Sequence, residues 1–340
     1  MDKIEEEISQ QPAAMKSLLK YYLHGDGRGL LEKIAVDSKP LFTGMGASYH
    51  AAAIAAMQCQ QAGIPAAAFE TTDLLTPVPA LLNTYSPLIY ISQSGESAEV
   101  PYFLRRIEQG PLLGVTNDEQ STLALSATTV LPLHAGEETL IASKTYLNTL
   151  SLMWLVGRRI SNTWDGTEED RVNRVAKRVN LLLTGRNSLL TAWHDVMENA
   201  QHLVFTGRGP QAVAARQGAM VMAEWGKRHV QFISLGGFRH GFIELSEPGM
   251  GVVIFANSTA GLDSELDLAN ELDEYGVNVL LVIDGMTRRI RENPPEPVGF
   301  DPFLGTILSA IPPQLWAIEL SRSGRDGQGF RHLKKVIKKI

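Results

Sequence analysis

A strand, a glycine-rich turn and an alanine-rich helix follow one another twice in this chain, once in each half. Residues 41–46 read Leu-Phe-Thr-Gly-Met-Gly, and residues 204–209 read Val-Phe-Thr-Gly-Arg-Gly. A helical pattern follows each turn, over 49–63 and over 211–225. Because a whole strand–turn–helix unit is repeated, the sequence predicts two α/β halves of the same kind.

Further strands are expected after each repeat, as short apolar runs bounded by turn residues. Runs without polar alternation are typical of strands that are buried on both faces. Strands that alternate with helices indicate parallel sheets covered by helices. We therefore expect an α/β protein with two tandem domains, each a parallel sheet between helical layers. The runs are 87–91 and 112–116 in the first half, and 251–256 and 277–283 in the second.

The expected organisation has five parts. We predict a helical lead-in over 1–35, a first domain over 36–165, a connecting helix over 166–195, a second domain over 196–325 and a tail over 326–340. The charges of the connecting segment, Glu168 among them, favour a solvated face. The tail ends in a basic run, which fits either a solvated tail or a mobile lid that brings a lysine to an anionic substrate.

Composition excludes several classes of function. The 340 residues carry a net charge of −6, which does not suggest a nucleic-acid surface. We predict no membrane span, because no apolar run approaches the roughly 20 residues that one requires. The single cysteine, Cys59, is expected to be a small buried hydrophobe. The lack of a disulfide framework and of an apolar leader at the N-terminus points to the cytoplasm.

The run Ser92-Gln93-Ser94-Gly95-Glu96-Ser97, called the serine turn below, directly follows the apolar run 87–91. Hydroxyl and amide side chains can donate to phosphate oxygens, and a glycine lets backbone N–H groups come close. This anion site has no lysine or arginine, which suits a small phosphorylated metabolite.

A nicotinamide or a metal is not expected. The first glycine-rich turn begins like a dinucleotide fingerprint, but Tyr49 stands where the third glycine would be. The histidines are scattered, and Cys59 has no second thiolate nearby in the sequence, so no cluster has metal-ligand spacing. We therefore predict no cofactor.

Taken together, the Gly-x-Gly-x-Ser strand end, the serine turn and the tandem repeat resemble the sugar isomerase (SIS) family. The resemblance is to the isomerase half of glucosamine-6-phosphate synthase and to its stand-alone relatives, which are amino-sugar phosphate deaminases and fructoselysine-phosphate-type deglycases. It implies a sugar-phosphate site in the first half, with a loop over 141–145 that closes over the sugar. The binding residues so implied are Ser48, Ser92, Gln93, Ser94, Ser97, Ile141 and Ser143.

The resemblance also implies catalytic residues. Glu224 matches the family's catalytic glutamate, His240 its ring-opening histidine and Lys335 the lysine that reaches the sugar carbonyl. The family's histidine comes from the neighbouring subunit, which implies a homodimer. A carboxylate in a cleft can carry a proton between C1 and C2, and a histidine suits ring opening near neutral pH.

This sequence departs from the family pattern at several positions. A lysine usually precedes the glutamate by three residues, where this chain has Val221, and a proline usually stands at Phe242. Lys144 and Thr145 are swapped relative to the usual Ser-Thr-Lys. No cysteine lies near Met1, so glutamine-dependent synthesis by this chain alone is not expected.

The predicted function is therefore a phosphosugar isomerase that releases ammonia or an amine from an amino-sugar or sugar-amine 6-phosphate. Deamination of glucosamine 6-phosphate is the first expectation. A deglycase that cleaves a sugar-amine conjugate is the second. The third is a sugar-phosphate sensor without catalysis, which the presence of both Glu224 and His240 argues against.

Overall fold

A computed structural model gives the fold of the chain. It describes residues 3–108, 110–259, 261–290, 292, 299–323, 329–333 and 336. The chain forms two compact units. One comprises residues 6–176 with the C-terminal residues from 331 onward, and the other comprises residues 177–330 with the N-terminal residues up to 5.

The first unit is built on a five-stranded sheet with the order β2-β1-β3-β4-β5, in which all neighbouring strands are parallel. Its strands are β1 Leu41–Gly44, β2 Ala67–Glu70, β3 Leu88–Ile91, β4 Leu112–Thr116 and β5 Thr129–Pro132. The helices of this half of the chain are α1 Lys3–Ser9, α2 Gln11–Leu19, α3 Gly27–Glu32, α4 Ala47–Gln61, α5 Thr71–Leu75, α6 Val100–Leu104, α7 Thr122–Ser126 and α8 Lys144–Ile160. A π-helical segment Lys20–His24 continues α2, and a 3₁₀ turn covers Pro79–Asn83.

The core of this unit follows from its apolar strands. Every residue of β1, β3 and β4 is buried, as expected for strands covered on both faces. Helices α4 and α8 pack against each other. Gly157 of α8 lies against Gln58 of α4, where a Cβ atom would come 2.4 Å from Gln58 Oε1. The glycine therefore permits the close approach of the two helices.

The second unit repeats this plan with the order β7-β6-β8-β9-β10. Its strands are β6 His202–Gly207, β7 Val230–Ser234, β8 Met250–Ala256, β9 Asn278–Ile283 and β10 Met286–Arg289. The helices of this half are α9 Glu168–Thr184, α10 Arg186–Met197, α11 Pro210–Glu224, α12 Leu235–Arg239, α13 Leu262–Glu274, α14 Pro302–Ser309 and α15 Ile311–Ser323, with a 3₁₀ turn over Phe242–Leu245.

The predicted α/β architecture with helix-flanked parallel sheets is confirmed, with one addition. Strand β10 is antiparallel to β9, so the second sheet is mixed at one edge. The two strands are joined by Asp284 and Gly285, whose φ values of 46° and 77° give a two-residue turn of the type that Asp-Gly favours. The five predicted domain boundaries stay a prediction.

The structure tests two further predictions made from the sequence. Cys59 is completely buried, as expected. The interpretation of the Glu168 charge as part of a solvated face is wrong. Glu168 is 1% exposed, accepts Arg158 Nε at 2.8 Å, and also accepts the amides of Asp165 and Gly166. These bonds compensate the buried charge.

One stretch of the described chain, Pro302–Arg322, is long and apolar enough to cross a membrane by length and composition alone. In the structure 89% of its most apolar 18-residue window is buried inside the protein, and the stretch forms α14 and most of α15. It therefore serves as core, and it is weak support for a membrane span.

Candidate active site

The carboxyl ends of β1 and β3 form the topological switch point of the first sheet. The chain leaves β1 toward β2 on one side and returns to β3 on the other, and the two strands end in register, with Gly44 opposite Ile91. Ligands of open α/β sheets bind in the crevice at such a point, because the two following loops diverge from it. Ser48 follows β1 and the serine turn follows β3, so the sheet brings the two predicted phosphate elements together.

Ser48 is placed by the tight turn that joins β1 to α4. Gly46 has φ 52°, a left-handed conformation that favours glycine, and α4 begins at the next residue. A Cβ atom at Gly44 would lie 2.8 Å from Ser48 Cβ and 2.7 Å from the carbonyl oxygen of Ile91. Ser48 is thus in the first turn of α4, where unpaired backbone N–H groups favour an anion.

The serine turn is held in shape by its own hydrogen bonds. The Gly95 amide donates to Ser92 Oγ at 3.1 Å, and the Glu96 amide donates to Ser94 Oγ at 3.2 Å. Ser92 is buried, whereas Gln93, Ser94 and Ser97 are partly exposed. The turn is therefore organised before any ligand arrives, which lowers the ordering cost of binding.

A second set of contacts docks the serine turn on α7. Gly95 has φ 62°, and a Cβ atom there would lie 2.0 Å from Ser121 Oγ and 2.4 Å from Ser121 Cβ. Ser121 caps α7 by accepting the Ala124 amide, and Glu96 Oε1 accepts the Thr122 amide at 2.5 Å. Gly95 is required here both by backbone conformation and by space.

Two residues before the serine turn, Tyr90 is 1% exposed in β3, and its ring stacks on Phe103 at 4.7 Å between centroids. Burial raises the pKa of the Tyr90 phenol to about 12. The phenol therefore remains neutral at physiological pH and adds no negative charge beneath the predicted phosphate site.

The loop that leads into α8 is anchored by a buried carboxylate. Glu138 Oε1 accepts the Ser143 amide at 2.9 Å, Ser143 Oγ at 3.0 Å and the Thr145 amide at 3.2 Å, while its Oε2 accepts Thr145 Oγ1 at 2.5 Å. Ile141 and Ser143 are 1% and 0% exposed. The structure places both at the carboxyl edge of the first sheet, but with Ser143 Oγ turned inward to Glu138.

Lys144, whose family counterpart is one position later, is also buried, at 4% exposure. Its Nζ donates to Gln10 Oε1 at 2.6 Å. Because Lys144 and Thr145 are swapped relative to the family pattern, the Lys144 ammonium lies against Gln10 at the start of α2.

In the second unit, Glu224 and His240 lie at opposite ends of the sheet. Helix α11 starts at the carboxyl end of β6 and returns over 15 residues, roughly 22 Å, so Glu224 at its last position is near the amino edge. His240 follows α12, beyond the carboxyl end of β7, and its amide donates to the carbonyl of Gly236 at 3.0 Å. The length of β7, about 16 Å, separates the two ends.

Their surroundings also differ. Glu224 is partly buried, and its carbonyl accepts a hydrogen bond from Lys227 Nζ. His240 is exposed and is followed by Phe242 and Leu245, which are 42% and 59% exposed. A single chain therefore does not bring Glu224 and His240 together. Lys335, the third predicted catalytic residue, lies outside the described residues.

The switch point of the second sheet is built like the first but carries an arginine. Gly209 has φ 52°, the value found at Gly46, so the repeated sequence folds into the same turn. Arg208 extends across it, with Nε 2.8 Å from Glu265 Oε1 and Nη2 donating to the carbonyl of Gly261 at 2.6 Å. This half-exposed guanidinium thus joins the loop that follows β6 to the loop that follows β8 and the start of α13.

Two polar residues of the first site were not predicted. Glu138 and Asn117 belong to loops that follow β5 and β4, and their partners are on other loops, so no local pattern revealed them. Within the described part of the chain, no three His, Cys, Asp or Glu side chains are grouped as a metal site would need. The absence of a metal and of a cofactor in the working protein stays a prediction.

The fold and its two switch points define a tandem pair of related α/β domains. The sequence model of the SIS domain matches residues 33–157 and 197–320. The chain therefore belongs to the SIS domain family, as the sequence motifs predicted.

Curated relatives include the glutamine–fructose-6-phosphate aminotransferases (isomerizing) of Thermococcus kodakarensis and Streptococcus pyogenes. They are 26% and 27% identical over 97% of this chain. The chain spans 57% of the length of each of these relatives.

Solved structures share the fold over nearly the whole chain. The glucosamine-6-phosphate deaminase of Thermotoga maritima has a TM-score of 0.73 at 22% identity, and each chain is covered to 99%. The C-terminal domain of glucosamine-fructose-6-phosphate aminotransferase from Francisella tularensis has a TM-score of 0.78 at 20% identity, with 96% of this chain and 97% of that chain covered. Tagatose-6-phosphate ketose/aldose isomerase from Escherichia coli has a TM-score of 0.76 at 23% identity, with 96% and 95% covered.

Proposed function

We propose that this protein is a homodimeric phosphosugar isomerase that deaminates an amino-sugar 6-phosphate, with glucosamine 6-phosphate as the first substrate to test. The observation that carries the proposal is the meeting of Ser48 and the serine turn at the switch point of the first sheet. Neutral donors at this point suit the phosphate of a small sugar, which would place the sugar carbons at a fixed distance from a catalytic group.

In this proposal Glu224 carries the proton between C1 and C2 of the opened sugar. If C2 bears an amine, the transfer gives an imine, and water then releases ammonia and leaves fructose 6-phosphate. His240 opens the ring as the acid–base group. The relatives named for fructose 6-phosphate and glucosamine 6-phosphate support this substrate class.

The separation of Glu224 and His240 within one chain supports the proposed dimer. An exposed histidine beside two exposed apolar side chains, Phe242 and Leu245, is the composition of a surface that a second copy covers. The site then takes Glu224 from one chain and His240 from the other, and the two-fold symmetry of a dimer builds it twice.

The test is incubation of the purified protein with glucosamine 6-phosphate, with ammonia and fructose 6-phosphate both measured. Wild type should release the two in equal amounts, and Glu224→Gln should release neither while it still binds fructose 6-phosphate. If wild type binds fructose 6-phosphate but releases no ammonia, the deaminase proposal is wrong. The FRHGFIELSEPG stretch, which resembles the deglycase and deaminase branch, would then make a sugar-amine deglycase the next candidate.

A further inference from the structure

Three loops that follow β3, β4 and β5 are joined by one residue, Asn117. Its amide N–H donates to the carbonyl oxygen of Gln93 in the serine turn at 2.9 Å. Its side-chain Oδ1 accepts the Ala135 amide at 3.0 Å, and its Nδ2 donates to the carbonyl oxygen of Gly136 at 2.8 Å. Asn117 thus contacts the serine turn with its backbone and the loop before α8 with both ends of its side chain.

The loop before α8, residues 133–143, is held at its start, in its middle and at its end. Asn117 holds its start, and Glu138 binds its end through Ser143. In the middle, the Thr139 amide and Thr139 Oγ1 donate to Glu7 Oε1 at 2.8 and 2.9 Å. Thr116 Oγ1 also donates to the Gln93 carbonyl oxygen at 3.2 Å, and the Thr116 carbonyl oxygen accepts the Leu133 amide at 2.9 Å. A displacement of Gln93 therefore reaches the start of the loop through the neighbours Thr116 and Asn117, and Asn117 bonds the loop with its side chain.

The backbone at the start of the loop cannot easily adjust to a movement of Asn117. His134 has φ 45°, an uncommon value for a residue other than glycine, and its ring packs on Tyr21 with 4.0 Å between centroids. His134 is next to Ala135 and Gly136, the two residues that the Asn117 side chain binds. Its left-handed backbone conformation is costly in an unconstrained chain, so the surrounding structure must hold it in place.

From these contacts we propose that Asn117 is a positioning residue that couples phosphate binding at the serine turn to the order of loop 133–143. This inference rests on the proposed function. When the phosphate binds the Gln93 side chain, it holds the Gln93 carbonyl more firmly against Asn117, and Asn117 in turn holds the loop that carries Ile141 toward the sugar. Asn117 itself touches no substrate in this scheme.

The experiment is hydrogen–deuterium exchange on the full chain, with and without fructose 6-phosphate, for wild type, Asn117→Ala and Asn117→Asp. In wild type, the ligand should slow exchange both in the serine turn and in loop 133–143. In Asn117→Ala the Ala135 amide loses its acceptor and should exchange about tenfold faster without ligand, while ligand still slows the serine turn but no longer the loop. Asn117→Asp retains an acceptor for Ala135 and should keep that amide slow.

A matched control is Gln60→Ala, which removes another side-chain amide bond to a backbone carbonyl in the same unit, from Gln60 Nε2 to Ala66 at 2.8 Å. It should leave ligand-dependent protection of the loop unchanged. Fructose 6-phosphate should also bind about tenfold more weakly to Asn117→Ala than to Gln60→Ala.

The exchange measurements distinguish a failure of the coupling through Asn117 from a failure of the proposed function. If the ligand protects loop 133–143 in Asn117→Ala as fully as in wild type, the coupling is wrong and the proposed function stands. If the ligand protects neither segment in wild type, the proposed function fails and the coupling fails with it.

Discussion

Replacing Gly95 by alanine tests whether the shape of the serine turn makes the phosphate site. Two effects add at this position. An L-residue at φ 62° costs roughly 1–2 kcal/mol in backbone energy. The new Cβ would also lie 2.0 Å from Ser121 Oγ, so Ser121 must move and α7 loses its cap, which costs about 1 kcal/mol more.

We therefore expect Gly95→Ala to lower the free energy of unfolding by roughly 2–3 kcal/mol. If the displaced turn withdraws one hydrogen bond from a charged phosphate, the affinity for fructose 6-phosphate should fall by about tenfold or more. Urea denaturation measures the first quantity, and isothermal titration calorimetry measures the second.

The chain supplies a control with the same kind of backbone strain. Gly63 has φ 80°, and nothing lies within 4 Å of the position that a Cβ atom would take there. Gly63→Ala should therefore cost only the backbone energy, roughly 1–2 kcal/mol, and leave the affinity unchanged. The double variant Gly95→Ala with Ser121→Gly removes the close contact and should recover part of the loss, because glycine caps a helix nearly as well. Unchanged affinity in Gly95→Ala would refute the assignment of the serine turn as the phosphate site.

Three further predictions concern other parts of the chain. Mixing Glu224→Gln with His240→Asn under conditions that exchange subunits should restore about a quarter of the wild-type activity, because half of the dimers are mixed and each has one intact site; no recovery would contradict the shared site. Burial raises the pKa of the Cys59 thiol to about 12, so Ellman's reagent should not react with the folded protein at about pH 8 but should titrate one thiol in guanidinium chloride. Gly285→Ala places a Cβ atom 2.6 Å from the Leu308 carbonyl oxygen at φ 77°, so it should lower the unfolding midpoint in urea by more than Gly63→Ala does.

The strands that could be predicted from the sequence are those in the interior of the two sheets. All six predicted strands became β1, β3, β4, β6, β8 and β9, and the four that were not predicted, β2, β5, β7 and β10, are the edges. Interior strands are covered on both faces and need continuous apolar runs, whereas every residue of β2 is only partly buried. Edge strands carry a weaker signal for this physical reason.

In the candidate site, features that act locally could be predicted from the sequence, whereas features that act between distant loops could not. The serine turn was predictable because its side chains and its glycine act locally, within six consecutive residues. Asn117 and Glu138 act between loops that are distant in sequence, and the inward orientation of Ser143 depends on Glu138. Such roles arise only after the parallel strands have aligned their carboxyl ends at one edge.

The arginine at the second switch point has a consequence for how the duplicated scaffold is used. Arg208 stands where the first repeat has Met45, and Glu265 and Gly261 hold its guanidinium. In the proposed function, the first half of the chain binds the metabolite and the second half does not. Saturation should accordingly need one phosphosugar for each chain and not two, so that the duplication enlarged the protein without multiplying its ligands.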